Sequence, residues 1–195
     1  MKSKLILLFA LSLIGLQATA FSEVHARMIK SVAPAVGSIK AVSTRAQRAA
    51  SQPPRLTYSQ NQALAAAWHA GYHVGLPLAF TAIVYVESSG CKNVHGDNGL
   101  AFGCSQVHEA AAYAATGFHI PAWVLSDPDL RALNMAVGAR YLQMCIDSYH
   151  WPAGIGCYKQ GLHTKLSRRA LSHLSYTRRV LAAMVWLRNL PMSED

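Results

Sequence analysis

Glu87 and Asp97 are two of only six acidic residues between positions 58 and 191, the others being Glu109, Asp127, Asp129 and Asp147. Asp127 and Asp129 stand where a helix begins, and the helix dipole accounts for them there. Glu109 and Asp147 occupy ordinary helical positions and are expected to face water. Glu87 differs, because it closes the apolar run Phe80, Ala82, Ile83, Val84, Tyr85, Val86. A carboxyl at the end of a buried helix loses hydration, which disfavours its ionised form and raises its pKa. Glutamates tuned in this way to ~6–7 act as general acids. A general acid beside the leaving oxygen is what cleavage of a glycosidic bond requires. Asp97 lies in the Gly-rich turn Gly96-Asp97-Asn98-Gly99. Either it serves as a second carboxylate near the first, or it stabilises its own turn by hydrogen bonds to the backbone.

The elements that must hold these groups are mostly helices. A helix capped by Ser59 is expected to run through Ala63 to Tyr72, with Gly75 and Pro77 interrupting it. Residues 78–88 predict a second helix, apolar nearly all round and therefore buried. Gly90 ends it, and the segment 90–107 suits a loop with short strands. Further helices are expected from Val107 to Thr116, after Ser126-Asp127-Pro128 as far as Ile146, from Trp151-Pro152 to Gly161, and from Ser167 to Leu190. In the last, Leu171, Leu174, Val180, Leu181 and Met184 form an apolar stripe, opposite Arg168, Arg169, Arg178, Arg179 and Arg188. The expectation is a mainly α fold, a compact helical domain with a small β-hairpin inserted beside the helix that carries Glu87.

Residues 58–191 are a normal size for one domain. Ahead of them, residues 21–57 are rich in Ala, Ser and Arg, and read as a linker or loosely held arm. Residues 1–20 have the layout of a secretory signal peptide: Lys2 and Lys4, an apolar run from Leu5 to Leu16, then Ala18-Thr19-Ala20. The run has 12 residues, against roughly 20 needed to span a bilayer, so no stable membrane insertion is expected. The mature chain is expected to be periplasmic or secreted. It carries 16 Lys and Arg against 9 Asp and Glu, a balance that favours anionic partners. Export and the lack of basic residues interleaved with aromatics argue against nucleic acid.

An exported chain can form disulfides, and Cys91, Cys104, Cys145 and Cys157 allow three pairings. Cys91–Cys104 and Cys145–Cys157 are favoured, because each closes a short loop between neighbouring elements. No CxxC pair points to zinc, and neither a metal nor an organic cofactor is expected.

Residues 87–107 resemble the active-site segment of the goose-type lysozymes and soluble lytic transglycosylases. In those families a catalytic Glu followed by Ser ends a buried helix, and a β-hairpin with a Gly-x-x-Gln motif follows. This chain has Glu87-Ser88, Gly96 to Gly103, and Gly103-Cys104-Ser105-Gln106-Val107. Asn134 to Leu142 is similar to the next helix of the transglycosylases. Trp151 with Gly156-Cys157-Tyr158 is similar to a segment of small transglycosylases linked to secretion and pilus systems. Tyr176 matches a tyrosine near the end of that domain.

The resemblance implies a lysozyme-like fold and a lyase acting on peptidoglycan glycan strands at the MurNAc–GlcNAc β-1,4 bond. Glu87 would protonate the bridging oxygen, then act as base on the MurNAc 6-hydroxyl to form the 1,6-anhydro ring. Ser88 and Gln106 would orient Glu87 and the sugar, while Tyr158 and Tyr176 would line the cleft. Equally, Ser88 suits a helix cap and the two tyrosines suit a core. Asp97 matches an acid that positions water in the goose-type lysozymes, where a second acid is replaced here by His108. Hydrolysis of the same bond is therefore an alternative outcome. Lys159-Gln160 stand where the family has Asn-Ala, and Cys104-Ser105 where it has Leu-Met. A further alternative is a non-catalytic wall-binding protein, or one that joins a secretion or pilus assembly.

Overall fold

The computed structural model describes residues 55–189. The signal peptide expected at 1–20, nearly all of the arm at 21–57 and the last residues of the expected domain lie outside the described residues. Among the described residues there are eight α-helices and one two-stranded antiparallel sheet, a mainly α fold with a small β element. The helices are α1 (Tyr58–Tyr72), α2 (Pro77–Ser88), α3 (Glu109–Thr116), α4 (Ala122–Ser126), α5 (Arg131–Tyr149), α6 (Ala153–Gln160), α7 (Arg168–Ser172) and α8 (Ser175–Leu187). The strands β1 (His95–Gly96) and β2 (Ala101–Phe102) fall between α2 and α3.

Helix α2 is the centre of the packing. Its Phe80, Ala82, Ile83 and Val84 are fully buried, because α1 lies against one side and α8 against another. A helix apolar on every face is stable only where neighbours cover every face. Pro77 at the first turn costs no hydrogen bond there, since that N–H would have no partner in any case. At the other end Ser89 adopts a left-handed conformation (φ 54°) and stops the helix one residue before Gly90. Helix α5 forms the second layer through Met135, Leu142 and Cys145, and packs on α1, α3 and α6.

Three local expectations need correction. The first helix is capped by Thr57 rather than Ser59. Thr57 Oγ1 accepts from Gln60 N at 3.3 Å and Gln60 Oε1 accepts from Thr57 N at 2.9 Å, a reciprocal box that needs a Gln three positions on. The third helix starts at Glu109, since Val107 is drawn into a backbone bridge with Phe102. The final helix is two helices. Leu174 takes an extended conformation (ψ 143°), and Thr177 Oγ1 donates to the Leu171 carbonyl at 2.7 Å across the break. The break resets the apolar stripe, so Tyr176, Val180, Ala183 and Leu187 are buried while Leu174, Leu181 and Met184 are half-exposed. Helix α4 was not anticipated by the periodicity at all.

Both expected disulfides are present, Cys91–Cys104 and Cys145–Cys157. The first ties the turn after α2 to the far end of the hairpin, and the second ties α5 to α6. No helix among the described residues is long and apolar enough to cross a membrane.

Candidate functional site

The hairpin after α2 is held from three sides. Its register pairs His95 with Phe102 and Gly96 with Ala101, and Gly103 N donates to the Val94 carbonyl at 2.8 Å. The tip, Asp97-Asn98-Gly99, has three successive positive φ values of 46°, 56° and 84°. Asp, Asn and Gly are the residue types that enter this region at least cost. A turn of that hand carries the Asp97 side chain out of the hairpin toward α6.

Below the tip, buried Asn134 of α5 acts as an anchor. Its Oδ1 accepts from Ser105 N at 3.0 Å and from Ser105 Oγ at 2.8 Å, while its Nδ2 donates to the Phe102 carbonyl at 2.9 Å. Tyr158 of α6 donates from its hydroxyl to the Ser105 carbonyl at 2.8 Å. The Gln106 amide donates to Gly103 O at 2.7 Å and lies against Gly96, where any Cβ would collide with its Oε1. Asn134 and Ser105 carried no assigned role in the sequence reading. The signal for Asn134 is a polar residue inside an apolar helical stretch, while Ser105 carries none beyond its place in the Gly103–Gln106 turn.

The predicted residues divide accordingly. Ser88 is fully buried, and its Oγ donates to Val84 O at 2.9 Å and accepts from Cys91 N at 2.9 Å. It therefore shapes the turn after α2, as the helix-cap alternative had it. Gln106 is buried and engaged by the hairpin's own backbone. Tyr158 and Tyr176 are both buried, yet both lie close enough for the Glu87 charge to act on their hydroxyls. Asp97 also acts on Glu87, so the fold gathers Glu87, Asp97, Tyr158 and Tyr176 at one place. Lys159 and Arg179 join them, although the sequence marks the first only as a departure from the family pattern and the second only as part of a basic face.

Glu87 is half-buried. Loss of hydration raises its pKa above the ordinary 4.5, against the opposing influence of the Tyr176 hydroxyl and of the Lys159 and Arg179 charges. The Tyr176 hydroxyl faces this carboxyl without reaching hydrogen-bond geometry, and it is a buried polar atom with no partner that does. Burial first, and the Glu87 charge second, push the hydroxyls of Tyr158 and Tyr176 well above the usual tyrosine value. Both are therefore neutral donors at any physiological pH.

Asp97 has the opposite environment. Its half-exposed carboxylate accepts from Lys159 Nζ at 3.1 Å and lies 3.2 Å from His108 Nε2. Those two hydrogen bonds hold its pKa below the ordinary 3.8. The two carboxyls are thus pushed in opposite directions, Glu87 toward its acid form and Asp97 toward its ionised form.

Two concavities flank this cluster. One of about 340 Å³ runs between α2 and α8, lined by Tyr85 and Trp186, edge to face at 4.8 Å, and by Arg179. The other, about 130 Å³, lies beneath the hairpin beside Asn134. Glu87 lines neither of them. His69 of α1 and His73 at its C-cap have the i, i+4 spacing of a zinc-binding helix, yet no group of three His, Cys, Asp or Glu able to hold a metal ion occurs among the described residues. Compared with protein-family models, with curated proteins and with solved structures, the chain finds no match in any of the three.

Proposed function

We propose that this protein cleaves the glycan strands of peptidoglycan as a lytic transglycosylase in the periplasm or outside the cell. The observation that carries the reading is Glu87, a desolvated carboxyl of raised pKa at the end of an apolar helix, beside a hairpin that ends in a Gly-x-x-Gln turn. Glu87 in its acid form protonates the oxygen between MurNAc and GlcNAc, and the C1–O bond breaks. The resulting carboxylate then takes the proton of the MurNAc 6-hydroxyl, whose oxygen bonds to C1. The carboxyl is regenerated and no water is consumed. Lys159, Arg179 and the Tyr176 hydroxyl favour the carboxylate that exists between the two steps. The basic arginine face of α7 and α8 suits an anionic wall, and disulfides suit an oxidising compartment.

The state of Asp97 favours the anhydro product over hydrolysis. A base that is to activate water needs a free lone pair and a pKa near the working pH. Asp97 has a lowered pKa, and cationic or NH donors occupy its oxygens.

Purified sacculi incubated with the protein lacking residues 1–20 test the reading. Soluble muropeptides with anhydro ends, lighter by one water than reducing ends, are expected. Reducing ends would assign hydrolysis instead. Release of nothing by the wild type, with Glu87→Gln binding sacculi equally well, would leave a wall-binding or assembly protein.

A further inference from the structure

Lys159 is the residue that belongs to both carboxyls. It follows Tyr158 on α6, its ammonium contacts both oxygens of Asp97 at 3.1 and 3.4 Å, and its charge also acts on Glu87. Its stem is flexible and its head only partly exposed. Of the two carboxyls that its charge acts on, only Asp97 holds it at hydrogen-bond distance. Asp97 holds this contact from the left-handed tip of the hairpin, and His108, which caps α3, lies 3.2 Å from the same Oδ2. We propose that Asp97 is a positioning residue: with His108 it anchors the Lys159 ammonium on the hairpin side and so keeps it from forming a direct ion pair with Glu87. This inference rests on the reading of Glu87 as the proton donor.

The consequence for chemistry is specific. A Lys159 free to pair with Glu87 would favour the carboxylate and deprive the first step of its proton. Besides Lys159 and Asp97, the groups that act on Glu87 are Tyr176 and Arg179, both from α8, and Tyr158 of α6 feels the Glu87 charge in turn. Helix α1, the other element packed on α2, reaches its end through the uncharged bond from Gln60 Nε2 to the Ser89 carbonyl at 2.8 Å. The Asp97 charge also raises Glu87 directly; the role assigned here is the additional part that passes through Lys159, and it differs from activation of water.

The test is a carboxyl-carbon NMR titration of Glu87 in the full protein, the signal being assigned by its loss in Glu87→Gln. Four proteins are compared: wild type, Asp97→Asn, Lys159→Met and the double variant. Asparagine tolerates the left-handed conformation at 97, and Asp97→Gly supplies a second variant compatible with it should the first not fold. The midpoint of Glu87 is expected to fall in Asp97→Asn and rise in Lys159→Met. The fall caused by Asp97→Asn is expected to shrink markedly when Lys159 is already absent, leaving only the part that the Asp97 charge exerts directly on Glu87. An equal effect in both backgrounds, or no movement in either, overturns the proposal. Release of soluble products from sacculi is read separately. If it is absent while the titration behaves as expected, the enzymatic reading fails and the anchoring stands; if product forms while the midpoints do not move, the reverse holds.

Discussion

The hydroxyl of Tyr158 donates to the carbonyl of Ser105 at 2.8 Å, across 53 residues of chain and inside the protein. The bond joins α6 to the turn that closes the hairpin, and Gly138 of α5 makes room for it. A Cβ at Gly138 would lie 2.6 Å from Ser105 Cβ and 3.0 Å from the Tyr158 hydroxyl. Tyr158→Phe is expected to destabilise by about 1–3 kcal/mol, the cost of a buried carbonyl left without its donor. Gly138→Ala is expected to cost at least as much by prising Ser105 away from α5. Urea denaturation midpoints measure both.

Asn134 is the more severe position. Asn134→Ala removes the acceptor of two Ser105 hydrogen bonds and the donor to Phe102 at once, in a residue that is 1% exposed. A loss of about 3 kcal/mol or more is expected. The hairpin amides should lose protection from hydrogen exchange before those of α2. Uniform loss across the molecule would show that the hairpin is held by something else.

Glu87→Gln is expected to lower release of soluble muropeptides by ~10²–10⁴-fold, the range for loss of a general acid. Its effect on stability has the opposite sign. The folded protein holds the Glu87 proton above the ordinary value of 4.5, so between that value and the raised one the native state binds more protons than the unfolded chain. Stability contributed by this group therefore declines as pH rises through that window. The Gln variant has no such decline. Its melting temperature should exceed that of wild type near neutral pH, and the difference should vanish in acid, below the ordinary glutamate value.

Tyr176→Phe separates the tyrosine's electrostatic effect from its packing. The hydroxyl lowers the Glu87 pKa, so removing it should carry the alkaline limb of the activity profile to higher pH. Because that hydroxyl lacks a partner in hydrogen-bond geometry, the change should cost under ~1 kcal/mol in stability. A shift to lower pH would overturn this assignment.

Each disulfide closes a short loop, with sequence separations of 13 and 12 residues, which corresponds to about 3 kcal/mol apiece in the chain-entropy account. Replacing Cys145 and Cys157 by Ser is expected to lower global stability by that order. Both of these cysteines are fully buried. The same change at Cys91 and Cys104 is expected to depress cleavage of sacculi more than it lowers the denaturation midpoint, because that bridge sits at the hairpin beside Glu87.

Local patterns made much of this legible. An apolar run closed by Glu87 announced a buried helix with an acid at its end, and the Gly-, Asn- and Asp-rich stretch after it announced a turn with little choice of conformation. Short loop closure pointed to both disulfides. Less legible was the break at His173-Leu174, where Thr177 captures the Leu171 carbonyl. A side chain that takes a backbone partner from another turn leaves no trace in hydrophobic periodicity. The cap at Thr57 was readable in principle, since Gln60 stands three residues after it.

What the sequence determined by itself was therefore the class of structure and the singular position of Glu87, together with a preference, though no decision, among the three disulfide pairings. These follow from periodicity, turn chemistry and loop length, all of which act over a few residues. Only the tertiary structure decided which groups surround that carboxyl. Lys159 meets Asp97 across 62 residues, and Asn134 meets Ser105 across 29. Hydration lost by Glu87 and hydrogen bonds gained by Asp97 depend on what packs nearby in space. The two acids thus acquire opposite proton affinities from contacts that no local stretch of chain encodes.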